Sequence, residues 1–207
     1  GNIVNDCSNF GVYDLYSRVL DQQAFDLPEL QNVFAAGNSG WSVCPPFPDS
    51  FRTVLSGYQS AKNVLSVGNS RPNDRRIFSR SSRGPVRDGR LKPEIAGIGA
   101  FITSAGTYGS YYFENTGTSM ASPAIAGGMA LLIERYRQLD IIPPTGGNPK
   151  NGLIKVLVCN SGDDYGISGP DYSFGFGVAN FWRAVDMLEN TRYAVGTISP
   201  GPAQTIS

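Results

Sequence analysis

A glycine–threonine–serine turn that runs straight into a helix of alanines and glycines constrains this chain more than any other feature. Gly117-Thr118-Ser119-Met120-Ala121-Ser122-Pro123 reads as a tight turn that becomes the first turn of a helix, with Pro123 expected early enough for its missing N–H to matter little. Beyond it, Ala121, Ala124, Ala126, Gly127, Gly128 and Ala130 carry almost no side-chain bulk before Leu131, Leu132 and Ile133. Neighbours can approach such a helix closely, so it is expected to be buried and rigid. Ser119 then sits where helix-start N–H groups point outward and the dipole favours negative charge, which makes it a candidate nucleophile. The plain alternative is a small-residue helix start with no chemistry. A serine hydroxyl is a weak nucleophile until a base takes its proton, and the usual base is an imidazole. The 207 residues contain no histidine. The chain therefore reads as the serine-bearing half of a hydrolase.

A second segment, Val33-Phe34-Ala35-Ala36-Gly37-Asn38-Ser39-Gly40, is a short apolar strand ending in a glycine turn. Open α/β sheets place their sites at the carboxyl ends of strands. Asn38 there has an amide able to donate to an oxyanion, although turns favour asparagine for purely local reasons. A third run, Ser81-Ser82-Arg83-Gly84-Pro85 followed by Asp88-Gly89-Arg90-Leu91-Lys92-Pro93-Glu94, is distinctive but carries no evident chemistry.

In this order the three segments closely resemble the subtilisin-like serine proteases (subtilases, peptidase S8), and within them the alkaline, oxidation-resistant bacterial branch with its SSRGPxxDGRxKP signature. The resemblance runs from about Asn2 to Leu188. It implies a serine endopeptidase in which Ser119 is the nucleophile and Asn38 the side-chain donor of the oxyanion hole, with Thr118 supporting that hole. Asn9-Phe10-Gly11 resembles the strand that pairs with an extended polypeptide substrate, and Ala35-Ala36-Gly37 the facing wall of the primary specificity pocket. Asn38 also separates the chain from the sedolisins, which carry an aspartate in that position. Two departures, Gly97-Ile98-Gly99 and Tyr58-Gln59, fall where relatives usually have Ala-Pro-Gly and Pro-Gly, and are expected to bear on substrate preference.

In subtilases the catalytic aspartate and histidine precede the serine. None of the 17 acidic residues lies in a segment resembling the family's aspartate motif. The expectation is a C-terminal piece or one chain of a two-chain enzyme, inactive unless a partner carrying the Asp and His complements it. A degenerate homologue is less consistent with survival of both Ser119 and Asn38. The alternative from another class is a non-catalytic peptide-binding or assembly module using the same groove.

The implied fold is α/β: a three-layer, mostly parallel sheet with helices on both faces, incomplete because the N-terminal strands are absent. Strands are expected around Ile3–Asp6, Asn32–Ala36, Val64–Gly68 and Glu94–Ala96, with an open edge near Ile3 and Val4 that recruits a partner chain. Helices are expected over Tyr13–Phe25, Leu153–Cys159 and Ala179–Leu188, and a hairpin from Phe101–Ala105 and Tyr111–Phe113. Residues 1–190 form the C-terminal portion of the catalytic domain on this reading. Residues 191–207 are a tail or linker toward a possible downstream domain, and Pro143-Pro144 with Gly146-Gly147 marks a surface loop.

Formal net charge is zero and 41% of residues are hydrophobic, which fits one packed core and gives no reason to expect nucleic acid or membrane partners. The run Arg71, Arg75, Arg76, Arg80, Arg83, Arg87, Arg90 and Lys92 is the exception, yet half of it belongs to the family signature and reads as a structural loop. Of three cysteines, Cys159 reads as a buried free thiol, while Cys7 and Cys44 are able to bridge in an oxidising compartment. No metal-ligand spacing is present and no cofactor is required for catalysis. The family resemblance implies a structural calcium, for which Asp163, Asp164 and Asp171 offer oxygen ligands, while the residues alone favour a plain solvated loop. The family resemblance implies a secreted or extracellular protein.

Overall fold

The computed structural model describes residues 6–107, 109, 111–139 and 147–196. The strand expected over Ile3–Asp6, the Pro143–Gly146 loop and the end of the tail fall largely outside them. Asp6 is described and caps a short 3-10 turn, Cys7–Asn9.

Three apolar runs become a parallel sheet. Strand β1 (Val33–Ala35) pairs with β2 (Leu65–Ser70), and β2 with β3 (Ile95–Ile98), in the order β1-β2-β3. Parallel strands need covered faces, and β2 is buried along its whole length. On one face Leu65, Val67 and Ile95 meet Ile125, Met129 and Leu132 of helix α2 (Thr118–Gln138), with Leu157 of α3 (Asn151–Asn160) and Leu188 of α4 (Phe181–Glu189) completing the core. On the other face Phe34 stacks on Tyr58, which in turn meets Tyr16 of α1 (Leu15–Asp26). Asp14 starts α1 through a reciprocal pair of bonds with Ser17. The layers are thus helices, sheet and helix. The expected hairpin forms from β4 (Ile102–Ala105) and β5 (Tyr112–Asn115) and leads directly into α2.

Two expectations about α2 are corrected. Pro123 is its sixth residue rather than part of its first turn, so the missing N–H is the one that would reach the Ser119 carbonyl. The helix is also buried along one stripe only: Thr118, Ala121, Ile125, Met129, Leu132 and Tyr136. Ala124, Ala126, Gly127, Ala130 and Leu131 on its outward side are exposed, and a Cβ added at Gly127 would meet nothing within 4 Å.

The outer edge of β3 is covered, because Ala96 exchanges hydrogen bonds with Gly177 and Ala179. The outer edge of β1 has no partner among the described residues, and all three of its residues are half-buried.

At the amino-terminal end of the sheet lies an ion triad whose Lys92 and Glu94 are buried and whose Lys155 is half-buried. Lys92, 1% exposed, and Lys155 place their Nζ atoms 2.5 and 2.6 Å from Glu94 Oε1. The second carboxylate oxygen accepts the Ser66 N–H at 2.8 Å, and both ammonium groups donate to the Val64 carbonyl. Burial lowers the Lys92 pKa from 10.5 to about 8, with Glu94 pulling the other way. Cys159 is a buried free thiol pushed up to about 12 by the same desolvation.

Removing Glu94 strands the buried Lys92 and leaves the half-buried Lys155 unpaired, so Glu94→Ala should destabilise the fold by about 3–5 kcal/mol in urea titrations. Between pH 8 and 10.5 the unfolded chain still holds the proton that folded Lys92 has released. Stability relative to Lys92→Met should therefore rise with pH across that window. A flat difference would contradict the buried, desolvated lysine.

Candidate active site

The carboxyl ends of the three parallel strands converge on the start of α2. After β1 the chain turns at Gly37, whose φ of +121° suits glycine. A Cβ there would sit 2.7 Å from Leu55 Cγ and 2.8 Å from Ser82 Oγ, so the turn needs glycine for space as well. After β3, Gly99 lets the Ser119 turn approach: a Cβ on it would lie 2.5 Å from the Gly117 carbonyl oxygen. The Gly117 N–H closes this contact on the Gly99 carbonyl at 2.9 Å. The departure at Gly97-Ile98-Gly99 therefore has a packing role beside the Ser119 turn. No sequence signal beyond glycine itself pointed there.

Asn38 and Thr118 lock together. The Asn38 Oδ1 accepts the Thr118 backbone N–H at 3.0 Å and the Thr118 hydroxyl at 3.2 Å. The same hydroxyl accepts the Gly37 N–H at 3.3 Å. With its carbonyl held twice, the Asn38 side chain has one orientation, and its amino group donates to no described residue. Thr118 is fully buried, whereas Asn38 and Ser119 are half-buried and reach the surface. Gly117 precedes the helix and Thr118 opens it, so Ser119 is its second residue, among the N–H groups that precede the helix's own ladder. An amide donor, a serine hydroxyl and a helix N-terminus thus meet on one rim, a set suited to attack on a carbonyl with charge collected on its oxygen.

The expected substrate walls are also placed. Ala36 and Gly37 are buried, and Ala35 ends β1. The Leu55 N–H bonds the Ala36 carbonyl at 3.0 Å, and Leu55 pairs antiparallel with Phe10. Residues 54–56 therefore lie between the two walls as a floor, a role the sequence reading missed. Asn9 is exposed, and its carbonyl accepts the Ser56 hydroxyl at 2.7 Å. The Phe10 side chain is fully buried. Gly11 spends both backbone groups within the chain, its N–H on Val54 and its carbonyl on Arg87. Cys7 and Cys44 form a disulfide that joins the Asn9–Gly11 wall to the loop following Asn38. Asp163 pairs with Arg183 and Asn180, Asp164 accepts the Gly169 N–H, and Asp171 accepts three backbone N–H groups. Among the described residues no three His, Cys, Asp or Glu side chains cluster as a metal site.

Residues 14–177 match the family model of the subtilase family, peptidase S8. The chain belongs to the subtilase family. It is 33% identical over 170 residues to the serine protease AprX of Bacillus subtilis, covering 73% of this chain and 34% of AprX. A serine protease/ABC transporter B family protein, tagD of Dictyostelium discoideum, is 29% identical over 162 residues, covering 58% of this chain and 9% of tagD. The fold matches the prenylagaramide maturation protease PagA with a TM-score of 0.67 at 22% identity, covering 91% of this chain and 62% of PagA. It also matches the Clostridium perfringens CspB protease with a TM-score of 0.58 at 25% identity, over 70% of this chain and 31% of CspB. The chain thus spans less than half the length of these curated relatives.

Thr118→Val removes the hydroxyl that holds both Asn38 and Gly37. In active enzyme, kcat should fall on the order of tenfold with KM nearly unchanged, and Thr118→Ser should restore most of it. Unchanged kcat in the valine variant would contradict the positioning role.

Proposed function

We propose that this chain supplies the nucleophile and oxyanion hole of a subtilisin-type serine endopeptidase, and that a further polypeptide segment, from the same precursor or a second chain, brings the histidine and aspartate. The observation that supports this is the Asn38–Thr118 lock beside Ser119, which holds the Asn38 carbonyl oxygen twice and leaves the amide N–H2 as the donor available to an oxyanion. An ordinary turn asparagine would not need its carbonyl fixed from a second segment 80 residues away.

The chemistry then follows from the residues. An imidazole on the partner segment takes the Ser119 hydroxyl proton as the oxygen attacks the peptide carbonyl. Asn38 Nδ2 and the Ser119 N–H hold the resulting oxyanion, aided by the α2 dipole. The imidazolium gives its proton to the leaving amine, and water then releases the acyl group by the same route. No metal or cofactor enters this scheme.

The surface supports a covering partner. The outer edge of β1 is unpaired among the described residues, and the outward stripe of α2, which lies across β1, is apolar and exposed, with Leu131 67% accessible. A parallel strand added at that edge would pair β1 and place its own carboxyl end beside Asn38 and Ser119. The Cys7–Cys44 disulfide supports an oxidising, extracellular setting.

In the assembled enzyme, Asn38→Ala should lower kcat about 100- to 1,000-fold with little change in KM, a magnitude measured in subtilisin. Peptide hydrolysis with kcat unaffected by this substitution would overturn the assignment.

A further inference from the structure

We propose that Arg80 and Arg83, with Arg52 beside them, form a platform that selects acidic side chains in the bound polypeptide. This rests on the reading that Ser119 and Asn38 mark a peptide-binding groove.

Four cations of the basic run pair with carboxylates, and Arg87 instead donates to the Ser8 carbonyl. Arg71 and Arg76 pair with Asp74, Arg90 with Asp88 and Lys92 with Glu94. Arg80, Arg83 and Arg52 have no carboxylate within 4 Å among the described residues. Each lies over an aromatic ring of one loop, residues 41–53: Arg80 on Trp41 at 4.3 Å, Arg52 on Phe47 at 5.0 Å and Arg83 on Phe51 at 5.6 Å. Asp171 acts on Arg83 only through space and favours its charge. Burial opposes the charge on Arg83, and the Nε atoms of both Arg80 and Arg83 are shut from solvent without an acceptor.

The backbone that carries Arg80 and Arg83 runs beside the groove. The Gly40 N–H donates to the Arg80 carbonyl at 3.0 Å, and the Ser82 N–H to the Gly37 carbonyl at 3.0 Å. The Thr53 N–H then bonds the Arg83 carbonyl at 2.8 Å, and the Arg87 N–H bonds the Gly11 carbonyl at 2.9 Å. Residues 80–87 therefore run from the Asn38 turn to the Asn9–Gly11 wall. A guanidinium stacked on a ring spends its face and keeps its edge donors, which match a carboxylate in a planar fork. Three cations held this way without acids make a local positive field in a chain of zero net charge. Their place along a groove suited to an extended chain favours a polypeptide over a nucleic acid.

The test uses the full-length protein carrying Ser119→Ala, so that substrate is bound and not cut. Fluorescent peptides identical except for glutamate or glutamine near the cleavage position are titrated by anisotropy. The glutamate peptide should bind about tenfold more tightly at about 0.05 M salt, with the preference fading at high salt. Arg80→Gln/Arg83→Gln should reduce the preference below about twofold, and Arg80→Lys/Arg83→Lys should keep only part of it. Equal binding of the two peptides, or a preference that survives the glutamine variants, would overturn the platform. Tighter, Arg80- and Arg83-dependent binding of heparin or an oligonucleotide would overturn it in favour of a polyanion site. Fluorophosphonate labelling of the wild-type protein separates the two readings. Labelling with equal peptide affinities sinks the platform alone, whereas no labelling and no peptide binding sinks the groove with it.

Discussion

Two hydrogen bonds from Thr118 to one oxygen of Asn38 set what the rest of this structure has to supply. They span 80 residues of chain, so they exist only if β1 and the start of α2 are brought to the same end of the sheet. Strand order, the glycine at 37 and the close approach of Gly99 to Gly117 all serve that meeting. The lock fixes an amide that would otherwise rotate, so the donor needs no reorganisation when negative charge develops. Because the lock involves only backbone, Thr118 and Asn38, it is complete without a histidine.

Stability and chemistry are held at opposite ends of the sheet. The Lys92–Glu94–Lys155 triad ties the amino-terminal ends of β2 and β3 through the Ser66 N–H and the Val64 carbonyl, away from the rim that carries Ser119. Buried ion pairs are costly to desolvate and contribute geometry more surely than net stability. Here they fix where β3 begins, and hence where Gly99 ends up against the Ser119 turn. The disulfide acts on the site's other side, stapling the Asn9–Gly11 wall to the loop after Asn38 across 37 residues of sequence. Such a loop closure contributes about 4 kcal/mol on chain-entropy grounds.

Much of this was legible in the residues because it rests on short-range pattern. The apolar runs at Val33, Leu65 and Ile95, the helical spacing of Leu15, Val19 and Leu20, and the glycines flanking Ser119 announce their elements within a residue or two. Asn38 and Ser119 stood out because strand ends and helix starts are where such chemistry is placed. What escaped depends on long-range partners. Nothing near Leu55 announces a groove floor, and Lys92 read as one more cation in a basic run until Glu94 and Lys155 closed on it. The stacking of Arg80, Arg83 and Arg52 needed the 41–53 loop folded back, which no local period encodes. The α2 helix, expected to be wholly buried, has one exposed stripe because burial depends on what covers it.

The central claim is that Ser119 and its oxyanion donors are ready and only the base is supplied from elsewhere. The direct test is intact-mass measurement of fluorophosphonate adducts on this chain, alone and together with a histidine-bearing subtilase segment, with Ser119→Ala as control. The account predicts little labelling alone and stoichiometric labelling at Ser119 once the histidine-bearing polypeptide is present. Absence of labelling in the folded, complemented protein, or labelling that survives Ser119→Ala, would contradict it.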